Sequence, residues 1–367
     1  MIRPEINPKD LEVLPITQAS TIPSRWYTDA EFFAFDQKNI LAKHWQYLGH
    51  ISQLRHPGDY IVGEIAGNPV IVVRDKDGAL NGFYNVCRHR GGPLATENGN
   101  AKMLRCMYHG WSYNLQGQLV GAPRFEGVEN FDIKSCRLPR IHVETYAGMV
   151  LVTLSANPKP AANFFAGIRE RILPVDLEKK QFSSRVVYSI NCNWKVYIDN
   201  YMEGYHISHV HPELDSILDQ TNYTTQIHEN YILQHSPFKP NSEDENIYAT
   251  ESGQAAFYYL IFPNMMLNIL PGRLQINSVV PVGRDKTLVI FDYFYDDLKS
   301  ESAKKLIEED LKYSDIVQQQ DIRICEYVQK GLASDSYTQG RISVLEEQGV
   351  YHFQSRLKQA YRDALIP

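Results

Sequence analysis

Alternating apolar and polar residues between positions 59 and 86 indicate a series of short β-strands. The segment is DYIVGEIAGNPVIVVRDKDGALNGFYNV, in which β-branched and aromatic runs are separated by turn residues such as Gly67-Asn68. Runs of this kind, with a period of two residues, predict antiparallel strands joined by hairpins. Similar strand signals recur at 110–120 and 146–154. We therefore expect residues 45–155 to form a compact all-β domain.

Beyond this domain the pattern changes to strands followed by a long helix. The proline-containing segment ANPKPA at 156–161 has the composition of a linker. Strand signals then occur at three places, residues 257–268, 274–281 and 288–295. Helical periodicity follows from about Ser300 to Leu332. This order predicts a domain that contains both an antiparallel sheet and helices.

Chain length and these patterns together predict an α+β protein with two domains. A chain of 367 residues, of which 43% are hydrophobic, can bury one large core or two medium ones. We expect an N-terminal segment packed on the larger domain, then the all-β domain, then the larger α+β domain, at residues 1–44, 45–155 and 156–367.

Charge, hydropathy and cysteine content indicate which partners, compartment and cysteine roles to expect. The formal net charge is −6, and no block of Lys and Arg is present, so neither nucleic acid nor an anionic membrane surface is an expected partner. The sequence has neither an apolar export segment nor a run of about 18 apolar residues, so we expect a cytoplasmic protein. Its five cysteines are odd in number and thinly spread, which argues against a disulfide framework and for metal or core roles.

The first group of candidate ligands lies in NVCRHRGGPLATENGNAKMLRCMYHGW. It contains a Cys-x-His pair, Cys87 and His89, and a Cys-x-x-His pair, Cys106 and His109. Two thiolates and two imidazoles can bind one zinc ion, or they can bind the two irons of a Rieske [2Fe–2S] cluster. The spacing alone leaves both open, as well as four ordinary core residues. The β-rich context and the nearby glycines, which allow backbone amides to approach bridging sulfides, favour the cluster.

The second group lies in NWKVYIDNYMEGYHISHVHPELD. Glu203, His206, His209 and His211 fall within nine residues, a density that favours metal binding over a structural role. If the segment is helical, Glu203 and His206 share a face, and Pro212 should end the helix after His211. An iron site with two histidines and one carboxylate then needs a carboxylate from elsewhere.

Asp321 is the candidate for that carboxylate. It lies in a predicted helix within a stripe of 4-3-4 spacing, formed by Val317, Asp321, Ile324 and Val328. An acid buried in such a stripe requires a cation or a metal beside it. The alternative is an aspartate on the helix surface, with the stripe assigned the wrong phase.

These motifs resemble those of one oxygenase family along most of the chain, from about Trp45 to Phe353. CRHRGGPL and CMYHGWSY resemble the two boxes of the Rieske domain of aromatic-ring-hydroxylating and related oxygenases. DNYMEGYHISHVH and QQDIRICEYVQKGL are similar to the segments of their α-subunits that supply the mononuclear iron ligands. Many members have an aspartate where this chain has Glu203. The arrangement DNY-x-E-x-YH is most similar to the quaternary-amine branch, with its carnitine, choline, glycine betaine and stachydrine oxygenases.

The resemblance implies a role for each candidate residue. The all-β domain would hold a Rieske [2Fe–2S] cluster, and the α+β catalytic domain would surround a mononuclear Fe(II). The cluster ligands would be Cys87, His89, Cys106 and His109, and the iron ligands would be His206, His211 and Asp321. Because three ligands complete the iron site, His209 is expected to be a neighbour. Glu203 would carry electronic communication in a homotrimer, by joining His206 to His109 of the adjacent chain.

Two such centres imply an enzyme that oxygenates a small molecule with O2. The resemblance favours a small quaternary or tertiary amine, held by cation–π contacts with tyrosines such as those in FYYLIF at 257–262. A ring-hydroxylating dioxygenase of an aromatic acid or hydrocarbon is the alternative. Because no Gly-x-Gly-x-x-Gly fingerprint occurs, electrons from NAD(P)H are expected to arrive through a separate flavin and iron–sulfur reductase.

Two functions of other classes remain as rivals. A simple Rieske electron carrier needs only residues 45–155, so the rest of the chain and the group around His206 would have no purpose. A zinc-stabilised binding protein would be colourless, whereas a Rieske protein is red-brown.

Overall fold

The chain is divided into two compact units in the structure, a computed structural model that describes residues 3–173, 175–239 and 255–365. Leu41–Asn163 forms one unit. The described residues up to Ile40 and those from Phe164 onward form the other. The first unit is therefore inserted, along the sequence, into the second.

Antiparallel strands make up the Leu41–Asn163 unit. A seven-stranded sheet has the order β1-β10-β9-β4-β3-β2-β5, and a small sheet has the order β6-β7-β8. The strands are β1 Gln46–His50, β2 Asp59–Ile65, β3 Asn68–Arg74, β4 Leu80–Tyr84, β5 Gly99–Asn100, β6 Leu104–Arg105, β7 Ser112–Tyr113, β8 Leu119–Gly121, β9 Arg140–Tyr146 and β10 Met149–Thr153.

The three strands predicted between positions 59 and 86 correspond to β2, β3 and β4. Their register is antiparallel throughout. The turn between β2 and β3 lies at Ala66-Gly67, where both residues have positive φ, of 51° and 72°. A two-residue turn of this kind matches the twist of the strands. It lies one residue before the predicted Gly67-Asn68.

The second unit contains a seven-stranded antiparallel sheet with the order β11-β17-β16-β15-β14-β13-β12. Its strands are β11 Gln181–Ile190, β12 Thr224–Ile227, β13 Tyr231–Pro237, β14 Ala255–Ile261, β15 Met265–Leu270, β16 Arg273–Gly283 and β17 Lys286–Tyr295. The strand signal at 257–268 corresponds to two strands, β14 and β15, which form a hairpin. Pro263, in the turn between them, lacks the N–H that a continuous strand requires.

Eight α-helices occur in the described ranges, all in the second unit. They are α1 Arg25–Thr28, α2 Ala30–Asn39, α3 Ile168–Arg171, α4 Trp194–Tyr201, α5 Ile207–Val210, α6 Pro212–Ile217, α7 Glu301–Leu332 and α8 Gln348–Leu365. Helix α7 confirms the predicted helix from Ser300 to Leu332. No helix in the described part of the chain is both long and apolar enough to cross a membrane. The all-β and α+β units together confirm the predicted fold class.

The buried face of α7 differs in phase from the predicted stripe. Val328 is 44% exposed, so the stripe ending there is wrong. The face that is buried instead carries Asp310, Ser314, Gln318, Cys325 and Gln329. Asp321 lies on the edge of this face, with a side chain 15% exposed. Hydrophobic periodicity misplaced the face because most of its residues are polar.

A buried ion pair joins the N-terminal helices to α4 and α8. The Lys195 ammonium donates to Asp36, and both side chains are fully buried. Asp36 also accepts hydrogen bonds from the Trp194 indole, at 3.0 Å, and from the Tyr361 hydroxyl. Because a buried charge without its partner costs about 3–5 kcal/mol, this cluster fixes α2 against the rest of its unit.

Candidate metal centres

Two tight loops bring the four candidate cluster ligands together. Cys87 and His89 follow strand β4, and Cys106 and His109 lie between β6 and β7. Each loop is closed by its own backbone hydrogen bonds, such as Cys87 N to Gly92 O, at 2.9 Å. A Cβ atom on Gly92 would lie 3.1 Å from the Cys106 sulfur and 2.9 Å from the Tyr108 Cβ. Glycine at this position therefore allows the two loops to meet.

The thiols and imidazoles form two separate pairs. Cys87 and Cys106 are buried, and burial raises the pKa of the Cys87 thiol, with a further contribution from the Cys106 thiol beside it. The rings of His89 and His109 lie 4.7 Å apart, and His89 stacks on Trp111. The His89 ring is partly buried and the His109 ring is exposed. The two sulfurs therefore lie inside the unit and one imidazole lies at its surface.

This arrangement fits a [2Fe–2S] cluster better than zinc. Tetrahedral zinc, with bonds of about 2.0–2.3 Å, holds all four donor atoms within about 4 Å of one another. Within the described residues, no three of these four side chains form a group whose donor atoms lie within 4.8 Å of each other. His89 Nδ1 is buried and has no hydrogen-bond partner among the described residues, which suits a nitrogen that faces a metal. A Rieske cluster needs two thiolates on one iron and two imidazoles on the other.

The segment with the second group of ligands is broken into short helices. Glu203 and His206 lie in the turn between α4 and α5, so they are not on one helix. Glu203 Oε2 accepts a hydrogen bond from the backbone N–H of His206, at 3.0 Å, which closes the turn before α5. Helix α5 ends at Val210, and Pro212 begins α6, so His211 lies at the break.

His206, His211 and Asp321 meet at one point. Among the described residues, these three are the one group of His, Cys, Asp or Glu side chains in which at least three possible metal-binding atoms lie within 4.8 Å of one another. Asp321 Oδ1 lies 3.0 Å from His211 Nε2 and 3.7 Å from His206 Nε2. Two imidazoles and one carboxylate on one face of a metal leave other positions open, as in non-haem Fe(II) oxygenases. His209 is exposed and is not in this group.

Each histidine of this trio is held by a second side chain. His206 Nδ1 lies 2.6 Å from Glu203 Oε1, and His211 Nδ1 lies 2.7 Å from Gln320 Oε1. Both partner atoms are acceptors, so each Nδ1 carries the proton and each Nε2 is free to bind metal. Burial lowers the pKa of His211, but its hydrogen bond to Asp321 outweighs this and raises it overall.

Two residues of this centre were not anticipated from the sequence. Asn200 donates to Asp321 Oδ1, at 2.8 Å, and Gln320, which holds His211, itself donates to Glu213 Oε2, at 2.9 Å. Gln320 directly precedes Asp321 in the run Gln318-Gln319-Gln320. The run of glutamines beside the candidate ligand Asp321 was the feature of the sequence that could have indicated Gln320.

A cavity of about 130 Å³ adjoins the trio. Its size suits a compact organic molecule, since an engineered cavity of about 150 Å³ binds benzene. Tyr201 and Tyr223 line it, and their hydroxyls donate to Asn268, at 2.6 Å, and to Gln234, at 2.9 Å. Further aromatic rings in the lining are those of Tyr197, Phe238, Tyr258, Phe291 and Tyr313. FYYLIF at 257–262 thus contributes one ring, that of Tyr258.

The charges around the cavity are mostly negative or balanced. Glu203 and Asp321 line it together with the two ligand histidines. The other cationic side chain in the described lining is Arg273, and it forms an ion pair with the fully buried Asp310. The same guanidinium also donates to Gln275. Its positive charge is therefore already compensated.

Comparison with known proteins gives matches over nearly the whole chain. Residues 177–363 match the family described as ring hydroxylating alpha subunit (catalytic domain), and residues 44–132 match the Rieske [2Fe–2S] domain. The chain is 34% identical to the carnitine monooxygenase oxygenase subunit of Escherichia coli (strain K12), over 94% of this chain and 95% of that protein. It is 33% identical to the chloroplastic choline monooxygenase of Arabidopsis thaliana, over 95% and 84%. A solved quaternary ammonium Rieske monooxygenase superposes with a TM-score of 0.85 at 29% identity, over 95% of this chain and 99% of that one.

Proposed function

Because the chain belongs to the ring-hydroxylating α-subunit family of Rieske non-haem iron oxygenases, we propose that it oxygenates a small quaternary or tertiary amine. The reaction takes the form of hydroxylation, N-demethylation or C–N cleavage. The observation that carries the proposal is the cavity of about 130 Å³ that adjoins His206, His211 and Asp321. A mononuclear iron held by His206, His211 and Asp321 would supply O2 activation, and a Rieske cluster held by the other unit would supply electrons singly.

In this proposal the chain's own residues bind the metals and orient the ligands. Cys87 and Cys106 hold one iron of the cluster, and His89 and His109 hold the other. His206, His211 and Asp321 hold the mononuclear iron. Glu203, Gln320 and Asn200 keep those three side chains in place, and the aromatic walls of the cavity exclude water from the substrate.

The cavity lining favours a cation over an aromatic acid. Arg273, in the described lining, is already paired with Asp310, so its charge is not available to bind the carboxylate of an aromatic acid. A quaternary ammonium group would be attracted to the ring faces, with about 0.5–2 kcal/mol for each contact. The relatives named for choline and carnitine, both quaternary amines, support the same substrate class.

We also propose that Glu203 joins the two kinds of centre within a homotrimer. It already accepts a hydrogen bond from its own His206. On the Rieske unit, His109 is exposed and stands beside Met107 and Tyr108, which are 64% and 57% exposed. An exposed imidazole with apolar neighbours suits a surface that a second copy of the chain covers. A carboxylate is well suited to accept hydrogen bonds from two metal-bound histidines.

A separate reductase that takes electrons from NAD(P)H completes the proposed system. The relative from Escherichia coli is called an oxygenase subunit, and a Gly-x-Gly-x-x-Gly fingerprint is absent from this sequence. We propose the cytoplasm as its compartment. In the described structure none of the five cysteines is in a disulfide, which suits a reducing environment.

Oxygen uptake coupled to a reductase tests the proposed function. The purified protein, with both metal centres loaded, is assayed with trimethylammonium compounds, N-methyl prolines and aromatic carboxylates. Uptake matched by formaldehyde, trimethylamine or hydroxylated amine supports the proposal. A panel in which only aromatic carboxylates couple O2 uptake to product would contradict it.

A further inference from the structure

Gln318 is an amide in the cavity wall that the site described above does not use. It lies on α7, three residues before Asp321, and its side chain is almost fully buried, with 2% of the residue exposed. Residues three apart on a helix lie on the same face, about 4.5 Å apart along the axis. Gln318 therefore stands about one helical turn from the candidate iron ligand.

One end of this amide is bound and the other is not. The Tyr197 hydroxyl donates to Gln318 Oε1, at 2.7 Å. Nε2 is buried and has no hydrogen-bond partner among residues 3–173, 175–239 and 255–365. A buried donor left without an acceptor costs about 1–3 kcal/mol. In the wall of a substrate cavity, an acceptor on the substrate can offset this cost.

Three other amides in the lining donate to the protein itself. Gln234 Nε2 donates to the Tyr201 carbonyl, at 2.6 Å, and Gln275 Nε2 donates to Asn277, at 2.8 Å. Asn200 donates to the candidate ligand Asp321. Gln318 differs from these three in having an NH2 group that the protein does not use.

We propose that Gln318 determines specificity, by donating a hydrogen bond from Nε2 to an oxygen atom that the substrate carries a few bonds from its ammonium nitrogen. This inference rests on the proposed amine oxygenase function and specifies its substrate class further. When the N-methyl group or an adjacent carbon of the substrate lies near the iron ligand Asp321, an oxygen elsewhere on the substrate lies near Gln318, because the two residues are about one helical turn apart. The amine is therefore an alcohol, a carboxylate or a carbonyl compound, and not a simple alkyl ammonium ion.

The experiment compares matched substrates that differ only in this oxygen. Choline and ethyltrimethylammonium differ by one hydroxyl, and glycine betaine supplies the carboxylate. Gln318→Met removes both the NH2 donor and the acceptor for Tyr197. Gln318→Glu keeps an acceptor for Tyr197 but offers no NH2. Gln319→Met is the control, because Gln319 is exposed on the same helix.

Both Gln318 variants should lower kcat/KM for the preferred oxygen-bearing amine by about ten-fold to a hundred-fold. We expect ethyltrimethylammonium, which lacks the oxygen, to be a poor substrate of the wild type, and its kcat/KM should change by no more than about two-fold to three-fold in the variants. The Gln319→Met control should leave all values unchanged. Iron content and the visible spectrum of the cluster establish that each variant is folded and loaded.

Two negative outcomes are distinguishable. If the wild type couples amines to O2 uptake but both Gln318 variants lose the same factor on choline or betaine and on ethyltrimethylammonium, the role of Gln318 is wrong and the proposed function stands. If the wild type couples no amine at all, the proposed function is wrong and the inference falls with it. A loss confined to Gln318→Met would assign the effect to the Tyr197 contact and also overturn the inference.

Discussion

The two candidate centres differ in how their imidazoles are held. In the mononuclear trio, each Nδ1 is held by Glu203 or Gln320, and each Nε2 points to the centre. In the Rieske unit, His89 Nδ1 is buried and lacks a partner within the described chain, whereas His109 is exposed. The iron site is thus fixed by its own chain, and the cluster site presents an imidazole to the outside.

This difference matches the two tasks proposed for the centres. A site that activates O2 benefits from ligands held rigidly and from exclusion of water. A site that only passes electrons needs an exposed edge, where a reductase or a neighbouring copy can approach. The outer hydrogen-bond partners, and not the ligand types alone, therefore separate an enclosed centre from an exposed one.

Replacement of a cluster thiol should have the largest effect, because it removes the exposed centre entirely. We expect Cys87→Ala to lose the red-brown chromophore and all turnover, since a buried thiolate ligand is missing. Visible absorption and iron content measure this directly. Cys136→Ala is a suitable control, because Cys136 is outside both ligand sets. A Cys87→Ala protein that kept its colour would contradict the assignment.

Asp321→Ala should abolish turnover while the visible spectrum of the cluster is unchanged, because only the enclosed centre loses a ligand. Iron per chain should fall by the single mononuclear ion. His206→Ala should behave in the same way. Activity retained together with full iron content would remove the changed residue from the ligand set.

Glu203→Gln should disconnect the two centres without emptying either. The amide keeps the shape of the side chain but presents an NH2 group to a donor, so the hydrogen bond to His206 is weakened. We expect a reducible cluster and a full iron content, with electron transfer to the mononuclear iron slowed by orders of magnitude. Single-turnover oxidation of the pre-reduced protein, with substrate and O2, measures the rate. A rate equal to that of the wild type would show that Glu203 is not the bridge.

Gln320→Leu should have the smallest effect of the four. Loss of the acceptor for His211 Nδ1 should lower the affinity for mononuclear iron by about 10–100-fold, while the ligands themselves remain. Titration of the iron-depleted protein with Fe(II) measures the change. Gln319→Leu is the matched control and should bind iron normally. Equal affinities in the two variants would mean that anchoring by Gln320 does not contribute.

The sequence predicted best what depends on short spacing. The hairpins between positions 59 and 86 follow from local patterns, and the two candidate ligand pairs of the Rieske unit were also found from short spacing. Helix α8 was not identified, although Val350, Phe353, Leu357 and Tyr361 have the spacing of a buried helical face.

The different roles of the three adjacent glutamines before Asp321 could not be predicted from the sequence. Gln318 lines the cavity, Gln319 is exposed, and Gln320 holds His211. Because successive helical residues are about 100° apart, only the phase of the helix distinguishes them. The face that fixes the phase is polar, because Ser314 and Gln318 line the cavity, Asp310 pairs with Arg273 and Gln329 accepts a hydrogen bond from the Asn193 N–H. Hydrophobic periodicity therefore could not predict the phase of α7.

The cluster of Asp36, Lys195 and Tyr361 determines the order in which the chain can mature during synthesis. The all-β unit is continuous in sequence and can close while the ribosome is still at work. Asp36 must wait for Tyr361, 325 residues later, which takes roughly 15–65 s at about 5–20 residues per second. The first helices to leave the ribosome are therefore among the last to reach their native contacts.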